Sequence, residues 1–144
     1  MIPASMTIVS NQHAEAGPMI SKQVWTGRTL STLAVLFLIF DAALKVMKLP
    51  VAVEGTVQLG YPEGAVVGIG IVELVCVAIY VIPRTSILGA ILLTGYLGGA
   101  IATHVRVGNP LFTHMLFPIY VAALIWGGLL LREDRLRTLI PFRV

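Results

Sequence analysis

The sequence predicts an all-α membrane protein built as a bundle of four transmembrane helices running up-down-up-down. Three observations carry that prediction. The chain of 144 residues is 57% hydrophobic and only 12% charged, whereas a water-soluble domain has about 25% charged residues to coat its surface. Its mean hydropathy is +0.91. The apolar residues gather into four stretches of about 20 residues, the length that crosses a hydrocarbon core of about 30 Å, and short polar links join them. A transmembrane β-barrel would instead show alternating segments of about ten residues, and the sequence has none.

Residues 1–23 are mixed and polar, with Pro3, Gly17 and Pro18, and are expected to form a flexible tail. No Lys or Arg precedes Lys22, so this stretch lacks the basic start of a signal peptide. The transmembrane domain is expected over residues 24–131. Its first span, residues 26–47, has the apolar heart Leu33–Phe40. Trp25 suits an interfacial anchor, and Pro50 ends the segment. A loop is expected from Leu49 to Glu63, with a turn at Leu59-Gly60-Tyr61-Pro62. The second span, residues 64–82, is interrupted only by Glu73, and Pro83-Arg84 makes a tight link to the third, residues 85–105. The Gly108-Asn109-Pro110 turn leads into the fourth span, residues 111–131, which Pro118 should kink. Residues 132–144 read as a basic, water-facing tail.

Charge placement predicts orientation. An even number of spans puts both termini and the Pro83-Arg84 link on one side, with Lys22, Arg28, Arg84, Arg132, Arg135, Arg137 and Arg143. Lys45, Lys48 and Arg106 fall on the other. Seven of the ten cations therefore mark the termini as cytoplasmic. The net charge of +3 follows from this placement, so the expected partner is the lipid bilayer and nucleic acid is excluded. A single cysteine, Cys76, excludes an internal disulfide and dithiol cycling, and it reads as a small buried hydrophobe.

The ionisable groups within the spans are unevenly spread. At about 1.5 Å per residue, Glu73, Tyr96 and Tyr120 fall near the midplane. Asp41 and Lys45, one helical turn apart, fall in the outer half, and His104, Arg106 and His114 near the outer ends. A charged group at a helix centre costs about 2.5–3.5 kcal/mol, so these residues should face protein or water. Asp41, Lys45, Glu73, Tyr96, His104, Arg106 and His114 together outline a polar pocket opening outward. Each also has a plainer reading: Glu73 as structural glue bonded to Tyr96 or Tyr120, Asp41–Lys45 as a neutralised pair, Arg106 as an interfacial cation. Two histidines without a third ligand do not define a metal site, and no metal is expected. The spacings Gly64-x-x-x-Gly68 and Gly95-x-x-x-Gly99 suit close helix packing, within the bundle or in a homo-oligomer.

Leu59-Gly60-Tyr61-Pro62, Gly70-Ile71-Val72-Glu73-Leu74, Ile82-Pro83-Arg84 and Gly98-Gly99-Ala100-Ile101-Ala102-Thr103-His104 together resemble the DoxX-like family of small bacterial membrane proteins, from about Leu30 to Leu131. The resemblance implies a four-helix integral membrane protein and a link to quinone or redox chemistry. It also matches Lys45, Glu73 and His104 to positions where that family carries polar residues. The leading expectation is an accessory or quinone-interacting subunit of a membrane redox complex, with quinone as the cofactor it would meet. The alternatives are a small solute or proton transporter or channel working as an oligomer, and a purely structural membrane partner.

Overall fold

The computed structural model describes residues 17–139, with side chains from Lys22 onward. Every element among them is helical: α1 (Gly17–Val46), α2 (Pro50–Gln58), α3 (Ala65–Val81), α4 (Ser86–Arg106), a π-helical turn (Leu111–Met115), α5 (Phe117–Arg132) and α6 (Asp134–Leu139). Three segments are long and apolar enough to cross a membrane: Lys22–Val46, Ser86–Arg106 and Leu111–Arg132. The fourth apolar helix, α3, has 17 residues.

The surface is the inverse of a soluble bundle's. Leu36 and Phe40 on α1, Val72 and Val75 on α3, Leu88 and Ile91 on α4, and Ile119 on α5 point outward. Smaller or polar side chains point inward, among them Ala34, Ala42, Ser31, Ser86 and Ala90. Exposed apolar area on this scale is untenable in water and natural in lipid. The helices close a ring: α1 packs on α3 and α5, α4 packs on the same two, and α1 and α4 face each other diagonally. Ala34, Leu38, Cys76, Val77, Leu93, Leu97, Val121 and Ile125 fill the core between them, with Cys76 buried as expected.

Close approach in this ring is made by glycines other than the two expected pairs. A Cβ on Gly27 would stand 2.8 Å from the Gly128 carbonyl oxygen, and one on Gly70 would stand 2.9 Å from Lys45 Cβ. A Cβ on Gly89 would meet the backbone of Tyr80. Gly64, Gly68, Gly95 and Gly99 have nothing within 4 Å of such an atom. The GxxxG spacing marks a face that permits approach, and among the described residues no helix approaches those faces.

The chain between α1 and α3 is also more ordered than a loop. Pro50 takes the first helical turn of α2, where its missing N–H is harmless, and Thr56 is buried. Three helices at this end of the ring stop alike, with a carbonyl three residues back and one five residues back capped by successive N–H groups: Lys45 and Leu44 closing α1, Val57 and Thr56 closing α2, Val105 and His104 closing α4. This Schellman turn needs a left-handed residue, supplied by Gly60 (φ 83°), Gly108 (φ 71°) and, unusually, Lys48 (φ 51°).

Other expectations shift at the ends of the chain. Helix α1 begins at Gly17, within the stretch expected as tail, and residues 1–16 lie outside the described residues. The break in the fourth segment falls at Leu116, between the π-helical turn and α5. Pro118 then sits in the first turn of α5, where a proline starts a helix rather than kinking it. Of the basic tail, α6 folds back. Leu136 is buried, and Arg137 donates to the carbonyls of Leu130 and Leu131, at 2.7 Å each, closing the end of α5.

Candidate functional site

The last turn of α1 carries the residue on which the polar interior converges. Lys45 follows Asp41 by four residues, the spacing and order at which an acid and a base meet on a helix face. Its ammonium is 2.5 Å from Asp41 Oδ2, 2.8 Å from Glu73 Oε2 on α3 and 2.9 Å from the Tyr96 hydroxyl on α4. One side chain thus ties three helices, bridging the α1–α4 diagonal that no backbone contact spans. The Tyr96 hydroxyl donates its proton to the same Glu73 Oε2 at 2.8 Å.

Glu73 is 0% exposed, and its second oxygen, Oε1, has no hydrogen-bond partner among the described residues. An unmet buried acceptor costs about 1–3 kcal/mol, and such an atom calls for a reason. The Lys45 ammonium partly offsets the carboxylate's burial, but buried ion pairs rarely return their desolvation cost in full. Structural glue alone would not require the orphan oxygen.

Above this cluster lies a cavity of about 730 Å³. Its floor includes Asp41, Lys45, Glu73 and Tyr96. Its walls are Phe37, Leu44, Ile69, Phe117 and Val121, with Gly55 and Thr56 of α2 on one side. Gly95 and Gly99 line it as well, so the glycines that pack against no helix instead make room. Phe37 and Phe117 meet edge to face at 5.1 Å. His104 and His114 also line it, with their rings 5.6 Å apart. His104 Nδ1 is paired with the Asn109 amide at 2.8 Å and His114 Nδ1 with the Thr113 hydroxyl at 2.7 Å.

The structure therefore brings Asp41, Lys45, Glu73 and Tyr96 into one hydrogen-bonded cluster and sets His104 and His114 in the lining of the same cavity. Arg106 is occupied elsewhere. Its guanidinium donates to the Leu59 carbonyl at 2.6 Å and lies over the Tyr61 ring, clamping the turn after α2. Tyr120 faces outward and does not reach Glu73. Among the described residues no group of three or more His, Cys, Asp or Glu is placed to hold a metal.

Sequence reasoning missed Asn109, the α2 wall, and Tyr61, whose hydroxyl is 2.9 Å from Thr103 Oγ1. For Asn109 a signal existed. The left-handed Gly108 reverses the chain and returns the next residue to the last turn of α4.

The cavity has the dimensions and mixed lining of a small-molecule site, set in a chain whose surface is made for lipid. No curated protein and no solved structure matches this chain. The sequence profile of the DoxX-like family matches residues 29–128, a span that carries the whole polar cluster and both histidines, and the chain is a membrane protein belonging to that family.

Proposed function

We propose that this chain is an accessory membrane subunit whose cavity binds the headgroup of a quinone-like molecule, in association with a membrane redox enzyme. The observation that carries the reading is the buried Glu73 carboxylate with one oxygen unmet, bordering a cavity whose remaining walls are apolar and aromatic. A flat ring with polar atoms at its edge matches such a lining, and the exposed apolar flanks would admit its tail from the bilayer. No motif for a tightly held redox cofactor accompanies it, which favours a binding subunit over a self-sufficient oxidoreductase. In this reading all four apolar helices span the membrane up-down-up-down. At 17 residues, α3 extends about 26 Å, and the bilayer thins or its flanks extend to meet it. Both termini are cytoplasmic in a bacterial inner membrane, as the seven-to-three split of cations implies.

The test is a titration of the detergent-solubilised chain with a soluble quinone analogue. Saturable binding is expected in wild type and its loss in Gly99→Leu, which fills the cavity. Absence of saturable binding in wild type sinks the reading. A second reading is an oligomeric carrier of protons or a small solute. Gly64 and Gly68 favour it, since they leave a close-approach face open to a second copy. Flux across proteoliposomes separates the two, because the binding subunit gives none.

A further inference from the structure

We infer that the cavity receives its ligand as a hydrogen-bond donor, so that it favours a hydroxyl-bearing reduced ring over the carbonyl-bearing oxidised form; this rests on reading the cavity as a quinone-type site. The argument is a count of donors and acceptors at the floor. An ammonium has three donors and no acceptor, and those of Lys45 are engaged by Asp41, Glu73 and Tyr96. The single hydroxyl proton of Tyr96 goes to Glu73 Oε2. The hydroxyls on the walls are engaged too: Thr56 donates to the Ala52 carbonyl, Thr103 to the Gly99 carbonyl, and Tyr61 to Thr103.

What the floor leaves over is acceptor capacity. Glu73 Oε1 has no partner. The Asp41 side chain is 37% exposed, and Lys45 is its one partner. Two carboxylates against one ammonium leave one formal negative charge in excess. A carbonyl head would have to draw a donor of the cluster away from a carboxylate that already holds it, whereas a hydroxyl head meets Asp41, whose exposed carboxylate keeps acceptor capacity. Asp41 is the more exposed of the two carboxylates and the acceptor such a hydroxyl reaches, while Glu73 Oε1 is enclosed. The unengaged lining donors among the described residues belong to side chains outside the ionic cluster: Gln58, the second N–H of the Asn109 amide, and Nε2 of His104 and His114.

The experiment uses the full chain in lipid nanodiscs under anaerobic conditions and three matched probes: a short-tailed hydroquinone, its quinone and its dimethyl ether. The hydroquinone should bind roughly tenfold more tightly than either of the others, the worth of one hydrogen bond to a charged acceptor. In Asp41→Asn, whose amide offers donors as well as an acceptor, that ratio should fall toward one. A wild-type quinone affinity equal to or above that of the hydroquinone overturns the inference while leaving the cavity as a ring-binding site. An unchanged ratio in Asp41→Asn overturns the assignment to that carboxylate. If none of the three probes saturates, the cavity reading and this inference fall together.

Discussion

The two ends of the helix ring treat polar groups in opposite ways. At the end near the chain termini, Ser31 and Tyr80 are buried and bonded to each other at 2.9 Å, and Tyr80 passes its proton to the Ile125 carbonyl at 3.0 Å. Those three groups are neutral and met, while the Arg132 guanidinium over the Tyr80 ring has Nε and Nη2 unmet. Gly27, Gly89 and Gly128 press backbone against backbone around it. At the other end the knot is ionic, one oxygen is unmet, and Gly95 and Gly99 line open space. The same ingredients, tyrosine hydroxyls and glycine faces, build a joint where a neighbouring helix arrives and a cavity where none does. The arrival of a neighbouring helix separates the two: packed backbone closes one end, and open space beside Gly95 and Gly99 leaves the other a cavity.

Substitutions can break that contrast, and the largest effect belongs to the ionic end. Lys45→Met removes the common partner of Asp41, Glu73 and Tyr96 and should lower stability by about 3–5 kcal/mol, the penalty of a buried charge left alone. Thermal unfolding in detergent measures it. The double variant Lys45→Met with Glu73→Leu should recover most of the loss, because the uncompensated charge goes too.

At the packed end, Gly89→Ala drives a methyl into the Tyr80 backbone and should cost about 3 kcal/mol by overpacking. Tyr80→Phe keeps the shape but strands Ser31 and the Ile125 carbonyl, at about 1–2 kcal/mol. Gly99→Ala should be the smallest, within about 0.5 kcal/mol of wild type and of stabilising sign, since alanine outranks glycine in a helix with free space beside it. If Gly89→Ala and Gly99→Ala shift the unfolding midpoint equally, the contrast between packed and open ends is wrong.

The sequence revealed the materials of both ends better than their assembly. Four apolar stretches and the Pro83-Arg84 link were legible because lipid demands long uninterrupted hydrophobic runs. Asp41, Lys45, Glu73 and Tyr96 stood out because each is expensive in such a run, and depth along the helix was enough to group them. Which glycines touch was not legible. Spacing along one helix says nothing about which neighbour comes to meet it, and Gly27 and Gly89 sit in no special motif; of the contacting glycines only Gly128, in the Gly127-Gly128 pair, carried a signal. Helix α2 was hidden because Val51, Val53, Gly55 and Thr56 favour other conformations when considered alone. Docking beside α1 and α3 overrides that preference. The clamp of Arg106 on Leu59 was hidden for a related reason, since it exists only once the left-handed turn at Gly60 presents the carbonyl.

The three-way bridge at Lys45 also bears on how the chain is made. A ribosome releases α1 first, and α1 already carries Asp41 and Lys45 as a pair of zero net charge. The translocon therefore handles a neutralised first segment. When Glu73 follows on α3, its counterion is already in place, and Tyr96 arrives last to complete the set. Each charge of the cluster arrives together with, or after, an opposite charge within its reach. A circularly permuted chain that began at α3 would present Glu73 before any partner existed and should insert poorly, although its finished contacts would be the same.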